Sequence, residues 1–349
     1  MPGGQLTHIR TVGVLFWEPG HGISTAIACA LQQTGSAVER FAHDAVVPPG
    51  LDAIIACGPF SSLAPLGLQL QRIPRGGRPE LAVWLTEPLP DPGMPEPIRR
   101  LLGEMRSAVD RLAYREMPSG QWNISPTLAV LARRGFRFRY YGDLHWLRRK
   151  EILSVLATTS NVWRGFLEDR GFSAITAYMG SDPEWGADLG TERDIPVLWL
   201  GKVATRRRKR LLGFVRSELA RRGIDLLVID GVEHPYVFGA ERTKLLNRTC
   251  IALNLLREAF DDNSMRYFIA APNRALIVTE PTLPHTPFVP GTHLVQSTID
   301  QLPDTICYYL KHQEERTRIT ENAYRLVTDE LTLDSSVRAI VRELEHAGE

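Results

Sequence analysis

A basic segment in the second half of the chain carries the residues best suited to binding an anion. It opens at Gly201, directly after a short apolar run, and Arg206 and Arg207 follow at the predicted start of a helix; residues 201–223 hold nine Lys or Arg and one Asp or Glu. A strand-to-helix loop brings free backbone N–H groups and the positive end of the helix dipole together, and guanidinium groups add paired donors for phosphate oxygens. The segment therefore predicts a diphosphate site at Gly201 and one of these two arginines. The other cations of the run are predicted to face solvent: Arg208, Lys209 and Arg210.

A second polar cluster stands at the start of another predicted helix. Ser264, Met265 and Arg266 open this helix, and the polar residues 262–263 are candidates for its N-cap. Arg266 has two interpretations, a ligand contact or a salt bridge to Asp261 or Asp262. Surface ion pairs contribute only ~0–1 kcal/mol, so a structural pair alone is a weak reason for an arginine at this position.

Two further polar residues belong to predicted strands of the same half. Asn254 lies within an apolar run, and a buried amide requires hydrogen-bond partners, which are either backbone groups or a ligand. Glu280 follows the apolar run 275–278 and is predicted either to be an exposed loop carboxylate or to contact a ligand. The sequence leaves both alternatives open.

The first half offers Glu87 and His21. Glu87 ends the predicted strand at residues 81–85, and ligands of open α/β sheets collect beyond the carboxyl ends of strands, so Glu87 is placed to orient a ligand or act as a base. His21 lies in a Gly-containing loop after the first strand, which does not match G-x-G-x-x-G. Structural roles remain the alternative for both residues. The same alternative applies to the remaining candidates, which are His43, Asp143 and His145.

Several classes of function are not favoured. No H-E-x-x-H, Asp-x-Asp after a strand, G-x-S-x-G or P-loop occurs, so no metal, hydrolase or kinase site is predicted. The formal net charge of +1 gives no general case for nucleic acid as a partner. The four cysteines are far apart and are predicted to be reduced and mostly buried, which suits the cytoplasm. No apolar run approaches the length of a membrane span, although peripheral membrane association and a homodimer both stay open.

The elements that must position these residues alternate between strand and helix. The 349 residues suit two domains, and the alternation predicts parallel βαβ units in each. Strands are predicted at residues 12–17, 37–41, 53–57, 81–85, 137–141, 174–178, 196–200, 225–229, 250–255 and 275–278. Helices are predicted at residues 23–33, 97–105, 121–133, 161–170, 207–222, 305–329 and 335–346.

From about residue 158 onward, the order of motifs resembles that of the two-domain GT-B glycosyltransferases, and among them the CgeB-like, spore-maturation type. The matching segments are residues 180–183 (Gly-Ser-Asp-Pro), 239–242 (Gly-Ala-Glu-Arg), 264–268 (Ser-Met-Arg-Tyr-Phe) and 275–278 (Ala-Leu-Ile-Val). The resemblance implies an α/β protein with two Rossmann-like domains facing across a cleft. Residues 1–178 would be the acceptor side, residues 179–330 would bind the nucleotide-sugar, and residues 331–349 would be a helix crossing back to the first domain.

The resemblance also implies a reaction, transfer of a hexosyl unit from a nucleoside-diphosphate sugar to a hydroxyl acceptor, without a metal or other cofactor and with retention of configuration. The acceptor would be a saccharide, a lipid-linked compound or a small molecule. Arg207 is the best match to the arginine that neutralises the leaving diphosphate, and Arg206 the second. The helix starting at Ser264 would point at the donor phosphates, with Arg266 beside them. Glu87 or His21 would place the acceptor.

Two residues depart from the pattern of the relatives. Ile269 stands where many carry a glutamate that holds the donor ribose, and Asn273 stands where glycine is common. Glu280 is a candidate substitute for the ribose contact. These departures favour an alternative function, a non-catalytic accessory subunit or nucleotide-sugar sensor. A third alternative, a sugar epimerase of the same fold, is less favoured because this sequence shows no matching acid/base pair.

Overall fold

The computed structural model describes residues 9–17, 22–58, 62–87, 89–134, 136–203, 205–261, 265–282 and 287–347. It divides into two compact units. One unit contains the chain up to Tyr178 together with the segment from Asp334 onward, and the other extends from Met179 to Leu333.

The first unit is an α/β domain with one large sheet. Its strands are β1 (Thr11–Phe16), β2 (Ala37–Ala42), β3 (Ala53–Cys57), β4 (Glu80–Leu85), the short β5 (Tyr114–Glu116) and β6 (Trp122–Ile124), β7 (Leu153–Thr158) and β8 (Ala174–Thr176). Its helices are α1 (Gly22–Gln33), α2 (Ala64–Arg72), α3 (Glu96–Ala113), α4 (Pro126–Arg134), α5 (Arg139–Arg149) and α6 (Asn161–Glu168). Six strands form a parallel sheet in the order β2-β1-β3-β4-β7-β8, and β5 and β6 form a separate antiparallel pair.

The second unit repeats this plan on a smaller scale. Its strands are β9 (Ile195–Leu200), β10 (Leu226–Ile229), β11 (Thr249–Asn254), β12 (Leu276–Thr279) and β13 (Val295–Gln296). Its helices are α7 (Arg206–Ala220), α8 (Gly239–Asn247), α9 (Met265–Ala270), α10 (Leu302–Lys311) and α11 (Gln313–Arg325), and a π-helical turn (Leu326–Glu330) follows the last. All strand pairs are parallel, in the order β10-β9-β11-β12-β13.

The strands follow from continuous apolar runs. Every residue of β3 and every residue of β12 is buried, as expected for parallel sheets covered by helices on both faces. The core of the second unit combines Trp199 and Val197 with the inward side of α7 and with Leu276 and Val278. These cores fix where each strand ends, and the strand ends position the polar residues discussed below.

The last helix, α12 (Leu333–Ala347), belongs mainly to the first unit. Ser336 donates a 2.5 Å hydrogen bond to the carbonyl oxygen of Tyr178. This bond joins α12 to the last residue of the first segment of that unit. Just inside the second unit, Ser181 forms an isolated bridge with Thr332. Gly180 has a φ of +73°, and a Cβ there would collide with the backbone of Thr332. The glycine allows the two passages of the chain to run side by side.

Three of the predicted elements are wrong. The alternating residues 137–141 form no strand, because Phe136–Phe138 is a 3₁₀ turn and Arg139 begins α5. The predicted helix at residues 121–133 begins only at Pro126, after β6. The predicted helix at residues 305–329 is interrupted at His312, where α10 ends. Of the cysteines, Cys57 and Cys250 are buried as predicted, whereas Cys29 is exposed.

Candidate functional site

The predicted site residues of the second unit meet at the carboxyl edge of its sheet. Leu200 ends β9, Asn254 ends β11 and Thr279 ends β12, and Asn254 lies opposite Thr279 in the strand register. The chain leaves β9 toward β10 on one side, whereas β11 lies on the other side. Ligands of open α/β sheets bind at such a switch point, which here lies between Leu200 and Asn254.

Arg266 lies at this switch point, in the first turn of α9. Its Nε donates to the carbonyl oxygen of Leu200 at 2.9 Å, and its Nη1 donates to Oδ1 of Asn254 at 2.9 Å. The guanidinium carbon lies 4.4 Å from the centre of the Trp199 ring. Burial lowers the pKa of Arg266 to about 9, so the side chain remains charged at neutral pH.

No carboxylate within the described residues forms an ion pair with Arg266. Asp261, the suggested partner, instead accepts a 3.2 Å bond from Arg257. The other suggested residue, Asp262, lies outside the described part of the chain, as does Ser264. The positive charge of Arg266 is therefore held by neutral acceptors at the edge of the sheet, which suits an anion.

Asn254 is buried, and its hydrogen-bond partners are side chains. Besides accepting from Arg266, it donates from Nδ2 to the hydroxyl of Thr279 at 3.0 Å and to that of Tyr267 at 3.4 Å. These partners are side chains, not the backbone groups that the sequence allowed. Asn254 orients Arg266.

Gly201 allows Arg266 to lie close to the backbone. It has a φ of +127°, a conformation that L side chains rarely adopt, and a Cβ there would lie 2.8 Å from Nη2 of Arg266. Its carbonyl oxygen accepts a 2.7 Å bond from the indole nitrogen of Trp199. Gly201, Trp199 and Arg266 thus form one packed group at the end of β9.

Arg207 and Glu280 form a second group at the same edge. Nη1 of Arg207 donates to Oε1 of Glu280 at 2.9 Å and Nη2 donates to Oε2, so the pair is bidentate. The backbone N–H of Leu256 also donates to Oε1, at 2.6 Å. Hydrogen bonding to Glu280 raises the pKa of Arg207. The prediction of an exposed loop carboxylate is wrong, because Glu280 is buried beneath Arg207.

Arg208 is a residue that the sequence interpretation assigned wrongly to the solvated face. It is buried, its Nε donates to the carbonyl oxygen of Leu255 at 3.0 Å, and its Nη1 donates to that of Lys202 at 3.0 Å. Burial lowers its pKa to about 10. Its position on α7, three and four residues before Leu211 and Leu212, was the signal that it faces inward. Arg206, Lys209 and Arg210 are exposed.

The start of α7 has a side-chain cap. Thr205 is the N-cap, and its hydroxyl accepts a 3.2 Å bond from the backbone N–H of Arg208. The other N–H groups of this first turn have no intrahelical acceptor, so they can serve an anion near Gly201.

Asn273 and Ile269, the two residues that depart from the pattern of the relatives, lie in different surroundings. Asn273 is fully buried; it donates to the carbonyl oxygens of Trp185 at 3.0 Å and Ile269 at 2.8 Å, and it accepts from Asn247 at 2.9 Å. An asparagine here makes hydrogen bonds to three segments that a glycine could not make. Ile269 is partly buried, and its side chain offers no hydrogen-bond acceptor.

In the first unit the described candidate residues have separate partners. Glu87 is mostly buried and pairs with Arg139 at 3.3 Å, whereas His21 lies outside the described residues. Asp143 is buried and accepts from the hydroxyls of Ser62 and Ser107, a core role. His145 is buried beside aromatic rings, and burial lowers its pKa to about 4. His43 is stacked on Trp17.

No group of three or more His, Cys, Asp or Glu side chains among the described residues is placed to hold a metal ion. The described residues at the edge of the second sheet offer instead a partly buried guanidinium without a carboxylate partner among them, a second guanidinium aligned by Glu280, and a helix N-terminus. This chemistry suits a phosphate or diphosphate group.

The chain was compared with known protein families, curated sequences and solved structures. Residues 206–342 match the sequence model of a family described as "Glycosyl transferase-like". No curated protein sequence gives a match.

Solved structures resemble the whole chain. HepE of Anabaena, crystallised with UDP and glucose, has a TM-score of 0.60 at 12% identity over 97% of this chain and 100% of its own. AviGT4, a glycosyltransferase involved in avilamycin A biosynthesis, gives 0.56 at 13% over 97% and 99%. Sucrose-phosphate synthase from Thermosynechococcus elongatus gives 0.58 at 10% over 95% and 98%. The chain therefore has the two-domain, Rossmann-like GT-B fold that its sequence predicts.

Proposed function

We propose that the protein is a glycosyltransferase that moves a hexosyl unit from a nucleoside-diphosphate sugar to a hydroxyl acceptor. The observation that carries the proposal is Arg266, a charged guanidinium held at the switch point by Leu200 and Asn254 without a carboxylate partner among the described residues. The glycosyl transferase-like match over residues 206–342 includes Asn254 and Arg266. UDP is the first nucleotide to consider, because HepE was crystallised with UDP and with UDP-glucose.

In the proposed reaction the bond between the anomeric carbon and the diphosphate breaks, and the diphosphate leaves with the electron pair. An acceptor oxygen forms the new bond to that carbon, and its proton passes to the leaving phosphate. Arg266 and the N–H groups at the start of α7 would stabilise the charge that grows on the diphosphate, a term that usually dominates such catalysis. Retention of configuration and independence of a metal are part of the proposal.

The roles of Arg207 and Glu280 in the proposal are linked. Glu280 compensates most of the charge of Arg207, so Arg207 would direct donors at the phosphate while Arg266 supplies the net charge. Oε1 of Glu280 accepts two hydrogen bonds and Oε2 accepts one, so Oε2 keeps one acceptor position. We assign that position to a ribose hydroxyl. Glu280 would then make the contact that relatives make with a glutamate at the position of Ile269. Glu87 or His21 would place the acceptor.

Thermal unfolding with UDP, GDP, dTDP, ADP and CMP, each with EDTA and with Mg²⁺, tests the proposal. A nucleotide at about a hundredfold its dissociation constant stabilises the folded state by roughly 2.7 kcal/mol. We expect UDP to raise the melting temperature equally with EDTA and with Mg²⁺. No shift with any nucleotide would contradict the proposal.

Ile269 favours a second candidate function, a non-catalytic nucleotide-sugar sensor or accessory subunit. Such a protein would bind the nucleotide but release no free nucleotide from a UDP-sugar when acceptors are supplied. A coupled assay for released UDP, run with a panel of saccharide and lipid-linked acceptors, separates the two candidates once nucleotide binding has been measured.

A further inference from the structure

Helix α3 (Glu96–Ala113) has its polar side turned inward. The residues that α3 buries are mainly charged, polar or small: Arg99, Gly103, Arg106, Ser107, Asp110 and Ala113. Several of them are paired within the unit: Arg106 donates to Asp110 at 2.6 Å, and Ser107 donates to Asp143 on α5 at 2.5 Å. Gly103 lies against Gly142 of α5, and this pair of glycines lets the two helices cross closely. The inward face of α3 therefore packs within the first unit.

The opposite face of α3 is apolar and exposed. Its exposed side chains and their exposed fractions are Ile98 (51%), Leu101 (59%), Leu102 (36%), Met105 (57%) and Leu112 (70%). Their spacing of three, four and seven residues places them in one stripe along the helix. A soluble helix normally shows the reverse arrangement, and a continuous exposed apolar stripe marks an interaction surface. We call these five residues the α3 stripe.

The region around the α3 stripe is basic. From Glu96 at the start of α3 to Arg149 at the end of α5 there are eleven Arg and five Asp or Glu, a net charge of +6 in a chain whose total is +1. Arg100 and Arg149 are about half exposed, and both donate to the single carboxylate of Glu104, at 3.2 Å and 2.7 Å. One carboxylate between two guanidinium groups leaves a net positive charge at the side of the stripe.

We propose that the α3 stripe rests in the surface of an anionic phospholipid bilayer. An amphipathic helix with an apolar stripe and flanking arginines is the arrangement that binds in the plane of such a surface, through buried apolar area and attraction to acidic headgroups. No helix among the described residues is both long and apolar enough to cross a membrane, so the contact would be peripheral.

The charge distribution favours a bilayer over a second copy of the chain. A two-fold dimer through the α3 stripe would bring two regions of net charge +6 together, and like charges at an interface are unfavourable. An anionic bilayer complements both the apolar stripe and the charge. The inference does not depend on the proposed glycosyltransferase reaction, since the α3 stripe belongs to the first unit and the proposed donor site to the second.

Co-sedimentation of the full chain with vesicles tests the proposal. Vesicles of phosphatidylcholine alone are compared with vesicles that contain about 30% phosphatidylglycerol. The test variant is Leu101→Ser/Met105→Ser, which changes two exposed side chains. The matched control is Val232→Ser/Phe238→Ser, which changes exposed apolar residues of the second unit (91% and 72% exposed). Circular dichroism and sedimentation velocity without lipid accompany each protein.

We expect the wild type and the control to bind the anionic vesicles, with less binding to phosphatidylcholine alone and at high salt. The α3 variant should lose binding about tenfold or more while keeping its fold. An Arg100→Gln/Arg149→Gln variant should weaken binding to anionic vesicles only. Three results would overturn the proposal: no vesicle binding by the wild type, equal binding by the α3 variant, or a lipid-free dimer that the α3 variant dissociates.

Discussion

Gly201 and Arg266 are fitted to each other: a Cβ on Gly201 would lie 2.8 Å from Nη2 of Arg266, and the glycine has a φ of +127°. The glycine at the end of β9 thus leaves the space in which the guanidinium of Arg266 lies. The sequence predicts Gly201 as a site residue for its backbone and Arg266 for its charge. The structure shows that the two are in contact.

Replacing Gly201 with alanine should displace Arg266 and strain the backbone. We expect a loss of about 1–3 kcal/mol in the free energy of unfolding and a weaker affinity for UDP. Urea unfolding and calorimetric titration measure the two effects. Gly213→Ala on α7 is the matched control, because a Cβ there meets nothing within 4 Å and alanine favours a helix. Equal affinity in both variants would contradict the role of Gly201.

Asn254→Asp should place a carboxylate against Nη1 of Arg266, where a neutral oxygen now lies 2.9 Å away. The new charge compensates the guanidinium, so the affinity for UDP should fall about tenfold or more. The exposed Asn123→Asp in β6 makes the same chemical change in the first unit and should leave the affinity as it is. If both variants bind UDP like the wild type, Arg266 does not contact the nucleotide.

The bidentate pair of Arg207 and Glu280 should be energetically coupled. Measured unfolding free energies of Arg207→Gln, Glu280→Gln and the double variant form a cycle, and we expect a coupling of about 1–3 kcal/mol because Glu280 is buried. Arg216 and Glu233 form an exposed bidentate pair in the same unit and supply the control cycle, with coupling expected below about 1 kcal/mol. Equal coupling in the two cycles would be evidence against the packed site described here.

Asn273→Gly, which introduces the residue common in relatives, should destabilise the second unit. The change removes hydrogen bonds to Trp185, Ile269 and Asn247 and leaves buried groups without partners, at a cost of about 2–4 kcal/mol. Thermal unfolding measures the effect, with the exposed Asn123→Gly as control. A variant as stable as the wild type would show that these bonds contribute little.

The free energy of unfolding of the first unit should fall as the pH rises toward neutrality. Burial, together with the neighbouring carboxylate of Asp143, raises the pKa of Asp110 to about 7, although Arg106 opposes the shift. An aspartate in an unfolded chain has a pKa of about 3.9, so between these values the folded state binds a proton that the unfolded state has released. Stability from this group is complete below pH ~4 and is lost progressively as the pH rises to ~7, by about 4 kcal/mol in all.

Asp110→Asn removes this titration. Urea unfolding at a series of pH values should therefore show a gap between the variant and the wild type that moves in favour of the variant as the pH rises. The wild type supplies the reference for all other titrating groups. Parallel curves for the two proteins would mean that Asp110 is charged in the folded state throughout.

The sequence predicts most of the sheets because buried parallel strands are continuous apolar runs, as in β3 and β12. It misses residues 137–141, where alternating Arg and Phe resemble a half-buried strand. Tyr141 and Leu144 are buried at helical spacing there, and packing against α3 outweighs the local pattern.

The candidate site is predictable in part for a related reason. Gly201 and Arg266 can be selected from local motifs, since both stand at strand and helix ends. The burial of Glu280 depends on Arg207, 73 residues away in sequence, and no local pattern contains that contact. Arg208 was missed although its helical spacing was visible, because the run of cations suggested a solvated face.

Calorimetric titration of UDP into the wild type, Arg266→Gln and Lys209→Gln tests the central claim most directly. Arg266 is a cation at the switch point without a carboxylate partner among the described residues, whereas Lys209 is an exposed cation of the same basic region. We predict one binding site in the wild type and in Lys209→Gln, and an affinity about tenfold or more weaker in Arg266→Gln. Equal affinity in all three proteins, or no binding by the wild type, would contradict the account.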